Sequence, residues 1–164
     1  MPAYHSSFND DPDVRTVGNT ALLSIKTKIR GPAPLVADET QPDIIDETLD
    51  LPADRLLIVL ILFISDCLSK IAAAKSLPTQ LEASKLLNTL AVDNFPLPGD
   101  AGFPLNSHYA PPASRIDGDY LRSYLVQVRQ ELASRLVERL YTDGTNKPSK
   151  WWMAFTKRRF MHRN

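Results

Sequence analysis

The sequence predicts an all-α protein, a compact bundle of about five helices preceded by an extended N-terminal strap. Apolar residues recur at helical spacing in several stretches, and the glycines and most of the 13 prolines lie between those stretches. The length of 164 residues is typical of one domain. Residues 1–164 are therefore expected to form a single domain.

The composition argues against several classes of protein. The 19 basic and 19 acidic side chains balance, which does not fit a basic nucleic-acid binder. Cys67 is the single cysteine, so neither an intrachain disulfide nor a four-cysteine metal site can form. The few glycines include no phosphate-binding loop. The first residues lack the basic and apolar parts of a secretory signal, and we therefore expect a cytosolic chain.

The N-terminal third is predicted to be mostly irregular. Residues 1–40 contain one apolar stretch, residues 21–29, which glycine and proline stop at residues 31–34. This region is expected to lie as an extended strap over the core. Pro42 suits the first turn of a short amphipathic helix that Pro52 ends. Its apolar residues are Ile44, Ile45, Leu49 and Leu51.

A buried central helix is predicted from Ala53 to about Ala74. Residues 56–64 form an unbroken apolar run, which is too short for a membrane span of roughly 20 residues. The β-branched residues of this run would also suit a strand. A helix is favoured because the apolar character continues into three alanines and no turn residue follows before Pro78.

A second helix should begin at Thr79, which can form a capping box with Glu82. Its predicted apolar face comprises Leu81, Leu86, Leu87 and Leu90. Residues 94–112 contain too many prolines for regular structure. They also contain several large apolar side chains, so an ordered loop lying on a core or a partner is expected. Those side chains are Phe95, Leu97, Phe103, Leu105 and Tyr109.

The longest helix is predicted from Asp119 to about Tyr141. Its buried stripe consists of Leu121, Leu125, Val128, Leu132, Leu136 and Leu140. Arg115, Arg122 and Arg129 recur every seven residues and are interpreted as a mostly solvated face. Glu131 and Arg135 are spaced to pair along the helix.

The two ends of the chain differ in charge. Residues 1–54 carry ten acids and four bases, whereas residues 147–164, the basic aromatic tail, carry six bases and no acid. One end could fold onto the other, or each could meet a different partner. Ser149 is expected to begin the last structured segment. The tentative partner interface is Lys150, Trp151, Trp152, Lys157, Arg158 and Arg159.

The tail allows more than one interpretation. Its tryptophans could anchor it onto this domain, or the tail could form a protein interface, in which aromatic residues and arginine are favoured. Acidic lipid or a calmodulin-like groove would also suit a basic amphipathic segment.

No set of catalytic residues can be recognised in the sequence, because His5, His108 and His162 lack metal-site spacing and Cys67 lies within the apolar helix. We therefore expect no enzyme activity, no metal and no cofactor.

Several stretches together resemble the subunit 3 family of the actin-related protein 2/3 complex. The most specific are the double tryptophan with its lysines, at residues 147–152, and two proline blocks, at residues 94–99 and 102–106. Further matches are MPAYHS at the start, residues 43–47, and residues 53–55 leading to residues 64–68. The resemblance implies a mostly helical domain in which one helix is surrounded by the others.

The resemblance also implies a function. A member of this family is a non-catalytic structural subunit that docks on the actin-related protein 3 subunit within a seven-subunit complex. That complex starts branches on actin filaments after activation by nucleation-promoting factors, in the cytoplasm and actin cytoskeleton, and the resemblance implies no nucleic-acid or membrane partner. The alternative is a stand-alone binding module that uses the basic aromatic tail for membrane or calmodulin-type partners.

The chain departs from the family pattern between residues 47 and 53. The family carries an additional aromatic and aliphatic stretch there, and only residues 48–52 stand in its place. Roughly a dozen residues are missing, about three turns if they were helical. We expect this shortened junction to impair solubility and assembly.

Overall fold

A computed structural model describes residues 14–36, 40, 42–46 and 55–157 of the chain. Helices account for about half of these residues, which confirms the prediction of a mostly helical protein. The elements are β1 (Thr16–Val17), β2 (Thr20–Ala21), α1 (Arg55–Ala72), α2 (Gln80–Val92), α3 (Arg115–Leu140) and α4 (Lys150–Ala154), and a 3-10 turn, Phe155–Lys157, follows α4. Within these ranges no helix is both long and apolar enough to cross a membrane.

The chain divides into two compact units. The first contains Met1–Val59 and Asn94–Val128, and the second contains Leu60–Asp93 and Arg129–Asn164. Helices α1 and α3 each contribute residues to both units. The single domain expected from the length remains a prediction.

The described part of the first unit includes a small sheet that the sequence did not predict. Strands β1 and β2 pair antiparallel, with Thr16 opposite Ala21 and Val17 opposite Thr20. Gly18 makes the turn with a φ of 59°, and a Cβ there would collide with the main-chain oxygen of Ala110. Two-residue strands leave almost no alternation to detect, so the pattern of apolar residues could not show this hairpin.

Residues 22–36 are largely irregular and are held by side chains from the first half of α3. The Tyr124 hydroxyl donates to the Leu23 carbonyl oxygen at 2.7 Å, and the Tyr120 hydroxyl donates to the Pro32 carbonyl oxygen at 3.0 Å. Gln127 contributes two further hydrogen bonds. Its Nε2 donates to the Ile29 carbonyl oxygen at 2.7 Å, and its Oε1 accepts from the Ala33 amide at 2.8 Å. These contacts satisfy main-chain groups that have no strand partner.

The predicted short helix is described only at residues 44–46, which are helical; Leu49, Leu51 and Pro52 lie outside the described residues. Asp43 caps this turn, so Pro42 precedes the helix and does not lie in its first turn, where the sequence predicted it. The Oδ1 atom of this buried carboxylate accepts from the amides of Ile45 and Asp46, and its Oδ2 accepts from the Lys26 amide at 2.6 Å. The carboxylate therefore ties the start of this turn to the N-terminal segment.

Helix α1 forms where the sequence predicted a helix rather than a strand. Leu56, Leu57 and Leu60 are fully buried, whereas Ile58 and Val59 are partly exposed. The helix is described from Arg55 to Ala72, because residues 53 and 54 lie outside the described ranges. The apolar run is therefore largely, but not completely, removed from water.

Helix α2 has the predicted start but a different buried face. Thr79 and Glu82 form the capping box, with the Thr79 amide donating to Glu82 Oε2 at 2.9 Å. The buried residues are Ala83, Leu87 and Ala91, at steps of four. Leu81, predicted to be part of the apolar face, is 66% exposed, and Leu86 and Leu90 are only half-buried. The prediction assigned the buried face to four leucines, whereas two of the three buried residues are alanines.

Helix α3 begins at Arg115, four residues before the predicted start. The Ser114 hydroxyl accepts from the Asp117 amide at 3.1 Å and donates to the Asp117 carboxylate at 2.8 Å. This capping overcomes the unfavourable helix propensity of Gly118. The six predicted stripe residues are all buried, and Arg135 Nε donates to Glu131 Oε1 at 2.9 Å, as predicted.

The predicted solvated arginine face is wrong at Arg129, which is 7% exposed. Its guanidinium carbon lies 4.4 Å from the centre of the Phe63 ring, and its Nη2 donates to the Leu90 carbonyl oxygen at 2.9 Å. An aromatic face and a carbonyl oxygen compensate for part of the lost hydration. Spacing along one helix cannot reveal such partners.

The proline-rich loop is irregular, as predicted, and is cross-linked by its own polar groups. The Gly99 amide donates to Asn106 Oδ1 at 2.7 Å, and Asn106 Nδ2 donates to the Asp100 carbonyl oxygen at 2.7 Å. Among its apolar side chains, Leu97, Phe103 and Tyr109 are buried, while Phe95 and Leu105 are half-buried. The buried side chains and these hydrogen bonds give the loop a defined conformation without secondary structure.

Candidate interaction surface near the C-terminus

Helix α4 begins where the sequence predicted, directly after Ser149. The Ser149 amide donates to the Leu140 carbonyl oxygen at 2.7 Å, which joins the start of α4 to the end of α3. The Met153 amide then donates to the Ser149 carbonyl oxygen at 3.1 Å. The serine hydroxyl makes no capping bond, so main-chain contacts position this short helix.

The structure brings together part of the predicted interface and adds one residue to it. Trp151 is 85% exposed and Phe155 is 54% exposed, and the two residues are four positions apart in the sequence. Trp152 is half-buried, with its ring centre 6.2 Å from that of Phe155. We call Trp151, Trp152 and Phe155 the aromatic surface. The helical spacing from Trp151 was the signal that could have placed Phe155 in the predicted interface.

The basic residues of the predicted interface are described only in part. Lys150 is exposed and begins α4, next to Trp151. Lys157 ends the 3-10 turn, and its side chain is not described. Arg158 and Arg159 lie outside the described residues. The structure therefore places one cation of the predicted set beside the aromatic surface.

Large exposed aromatic side chains are the unusual feature of this region. A tryptophan can bury roughly 150–250 Å² on association, and the aromatic side chains are prominent among the residues that dominate interface energetics. Trp151 leaves most of its surface in contact with water. The arrangement is suited to burial against another molecule, with Lys150 able to approach a carboxylate at the edge of that contact.

Of the other candidate groups, Cys67 and His108 are described, whereas His5 and His162 lie outside the described residues. Cys67 is fully buried, and burial raises the pKa of its thiol far above the ordinary range, which outweighs the lowering by Arg129. The thiol is therefore protonated and unreactive at neutral pH. His108 is exposed, and its Nδ1 lies 2.8 Å from the Ser107 hydroxyl. No group of three or more potential metal ligands occurs among residues 14–36, 40, 42–46 and 55–157.

These features define a mostly helical protein with an exposed aromatic surface close to its C-terminus. Residues 1–164 match the family model P21-Arc, described as the ARP2/3 complex ARPC3 (21 kDa) subunit. The chain therefore belongs to this family, as its sequence motifs indicated.

Related proteins match over almost their whole length. The chain is 50% identical to the actin-related protein 2/3 complex subunit 3 of Schizosaccharomyces pombe, covering 99% of both chains. It is 49% identical to the subunit of that name from Saccharomyces cerevisiae, covering 100% of this chain and 99% of the relative. A probable subunit 3 from Caenorhabditis elegans is 42% identical, with 98% of this chain and 94% of the relative covered.

The lengths of these alignments bear on the shortened junction. The alignment with the S. pombe protein extends over 177 positions, and this chain has 164 residues. At least 13 of those positions, the difference between the two lengths, therefore have no residue in this chain. The alignment with the S. cerevisiae protein is longer still, at 182 positions. Both lengths agree with a chain that lacks a segment present in its relatives.

Proposed function

We propose that this chain is a non-catalytic structural subunit of an actin-related protein 2/3 complex. In this role it supports the nucleation of branched actin filaments downstream of nucleation-promoting factors. The observation that carries the proposal is the family match over residues 1–164. Relatives that are 50% and 49% identical have names that place them in that complex as subunit 3.

The proposed partners are the other subunits of a seven-subunit complex, in particular the actin-related protein 3 subunit, and the actin filament. The proposed location is the cytoplasm and the actin cytoskeleton. No nucleic acid, membrane, metal or cofactor is required for this role. The chain contributes binding surface, and chemistry on a nucleotide is left to other subunits.

We assign a neighbouring protein chain to the aromatic surface. Trp151 lies in α4, whose first residue is Lys150, and Phe155 begins the 3-10 turn that follows; both side chains are exposed. The basic aromatic tail continues with Lys157, Arg158 and Arg159 in the sequence. The proposed contact therefore consists of an aromatic centre and a basic rim, which fits an acidic protein surface.

We also propose that α1 is the central helix of the folded protein and that residues 1–164 form one domain. Leu57, Leu60 and Cys67 of this helix are completely inaccessible to water. The buried residues of α1 between Leu56 and Ile71 form one broad face of the helix, and Leu62 is buried on the opposite side as well.

A stand-alone binding module that acts through the basic aromatic tail is the alternative function. Affinity purification of the tagged chain from cells separates the two. A structural subunit should co-purify with both actin-related proteins in equal amounts, even in roughly 1 M salt, where the Debye length falls to about 3 Å. A module that binds through its charges should release its partners under those conditions. Loss of both actin-related proteins in high salt would refute the proposed function.

Two matched variants test the aromatic surface. Trp151→Ala with Phe155→Ala removes two exposed rings, and Ile116→Ala removes an apolar side chain that is 79% exposed in α3. The first variant should lose subunits in high salt while the second retains them, and both should keep the parental melting temperature. Full retention of the complex by the first variant would rule out the aromatic surface as a major contact.

A further inference from the structure

A surface cleft of about 470 Å³ lies in the second unit, where the start of α2 faces the end of α3. Neither the motifs of the sequence nor the proposed function uses it. The cleft is lined by Gln80, Leu81 and Ser84 from α2, by Ser134, Val137 and Glu138 from α3, and by Asn146 from the connection to α4.

The shape of the cleft is fixed at one end by Asn146. Its Oδ1 accepts from the Gln80 amide at 3.1 Å, and its main chain adopts a φ of 52°, unusual for a residue other than glycine. Close to this contact, the Tyr141 hydroxyl donates to the Pro78 carbonyl oxygen at 2.7 Å. Two hydrogen bonds thus link the turn before α2 to the chain that follows α3, and the cleft walls are held in place.

Three polar side chains of the cleft have no hydrogen-bond partner among the described residues. Glu138 is exposed, and neither its carboxylate, the Gln80 side-chain amide nor the Ser84 hydroxyl has a hydrogen-bond or ion-pair partner in the part of the chain that the structure describes. The nearest acid on α2, Glu82, is already engaged with Thr79. The cleft therefore offers one free carboxylate and additional free oxygen acceptors on facing walls.

An apolar surface lies beside these acceptors. Leu81 is 66% exposed, although it lies in a lining otherwise rich in polar groups, and Val137 forms a buried apolar wall across from it. A ligand suited to the cleft therefore has a positive charge, several hydrogen-bond donors and an aliphatic stem. Lys85, which follows Ser84, is the basic group closest in sequence to the α2 lining and is not among the lining residues.

We propose that this cleft binds an arginine side chain presented by a partner protein. The guanidinium group is planar, is always charged and carries five donors that can pair with a carboxylate and with neighbouring oxygen acceptors together. Its three methylenes can lie against Leu81 and Val137. A lysine would supply a single compact charge and would leave several of the acceptors unsatisfied.

Nuclear magnetic resonance titration of the full chain tests this proposal without the complex. The probes are N-acetyl-arginine methylamide, the corresponding lysine compound, and the citrulline compound, which has nearly the same shape and no charge. The arginine probe should shift the amide signals of Leu81, Ser84, Glu138 and Asn146. Binding of the lysine probe should be at least about threefold weaker, and the citrulline probe should bind at least about tenfold more weakly.

Matched variants locate the effect. Glu138→Gln should weaken arginine binding at least about tenfold, whereas Asp119→Asn, which removes one charge from an exposed position of the same helix, should leave binding unchanged. Equal binding of arginine and citrulline, equal binding by Glu138→Gln, or no shift at the cleft amides would overturn the proposal. The spectrum of the Arg158→Gln, Arg159→Gln double variant is also compared with that of the parental chain, without any probe. A shift of the same amide signals in the variant would show that the chain's own tail occupies the cleft, and would overturn the assignment to a partner protein.

Discussion

The Tyr124 hydroxyl lies 2.7 Å from the carbonyl oxygen of Leu23, a residue 101 positions earlier in the chain. Tyr124 is completely buried, and burial raises the pKa of its hydroxyl far above the ordinary value. The group is thus a neutral donor at every physiological pH. It fixes an irregular segment to a helix by satisfying one main-chain acceptor out of reach of water.

Tyr124→Phe removes this donor and leaves the Leu23 oxygen without it. We expect a loss of about 1 to 3 kcal/mol in the free energy of unfolding, the usual cost of an unsatisfied buried polar group. Tyr120→Phe is the matched control, because its hydroxyl bonds to the Pro32 oxygen at 3.0 Å in a half-buried position where water can substitute. Urea denaturation measures both. A larger loss of stability in Tyr120→Phe than in Tyr124→Phe would contradict the importance given to the buried hydrogen bond.

A side chain added at Gly31 is predicted to lower the stability of the protein. A Cβ at this position would collide with the Gln127 side chain, whose Oε1 accepts from the Ala33 amide at 2.8 Å. Gly31→Ala should displace Gln127 and cost about 1 to 3 kcal/mol through the broken hydrogen bonds. Gly102→Ala is the control, since its Cβ would come no closer than 3.7 Å to Pro96. Equal melting temperatures for the two variants would show that Gln127 adjusts without loss.

Arg129→Lys should destabilise the protein although it keeps the charge. The substitution removes the planar group that stacks on Phe63 and the geometry of the bond to the Leu90 oxygen. We expect a loss of about 1 to 3 kcal/mol in urea denaturation, because an ammonium group is costlier to bury than a guanidinium. Arg115→Lys, at an exposed position of α3, should change stability by less than about 0.5 kcal/mol. An unchanged midpoint for Arg129→Lys would mean that stacking contributes little.

Stability should fall in alkaline solution, partly through Tyr109. Burial raises the pKa of this hydroxyl from 10.0 to about 12, and the hydroxyl donates to the Arg55 carbonyl oxygen at 2.5 Å. Because the folded pKa is the higher one, the contribution is complete below pH 10 and is lost as the pH rises through about 12. Tyr109→Phe should therefore flatten the decline between these values in urea denaturation. An identical decline in the variant would show that other tyrosines account for it.

The shortened junction gives a prediction about assembly. We expect the missing apolar side chains to have covered part of α1, where Ile58, Val59 and Ile61 are partly exposed. A chain with a family-like segment restored after Leu51 should be more soluble and enter the complex more completely. The exposed apolar surface is smaller than the sequence indicated, because Leu56, Leu57 and Leu60 are buried without that segment. Equal solubility and equal incorporation would show that the segment is dispensable.

Local chemistry could be predicted from the sequence, and long-range partners could not. The capping box of Thr79 and Glu82 and the stripe from Leu121 to Leu140 depend on spacing within one helix, and both were predicted correctly. Arg129 was misjudged because its partners, Phe63 and Leu90, come from other parts of the chain. At the aromatic surface the sequence identified the tryptophans, but only the fold shows that Trp151 is exposed and Trp152 half-buried.

The hydrogen bonds from Tyr120, Tyr124 and Gln127 to the N-terminal segment can form only after α3 has been synthesised. These bonds span 88 to 101 positions of sequence. The N-terminal segment leaves the ribosome first, and at roughly 5–20 residues per second its partners on α3 follow about 5 to 20 seconds later. During that interval its apolar residues, Leu22, Leu23 and Ile25, have no native contact with α3. These three side chains, which are buried in the folded protein, can therefore pack only locally until α3 has been synthesised.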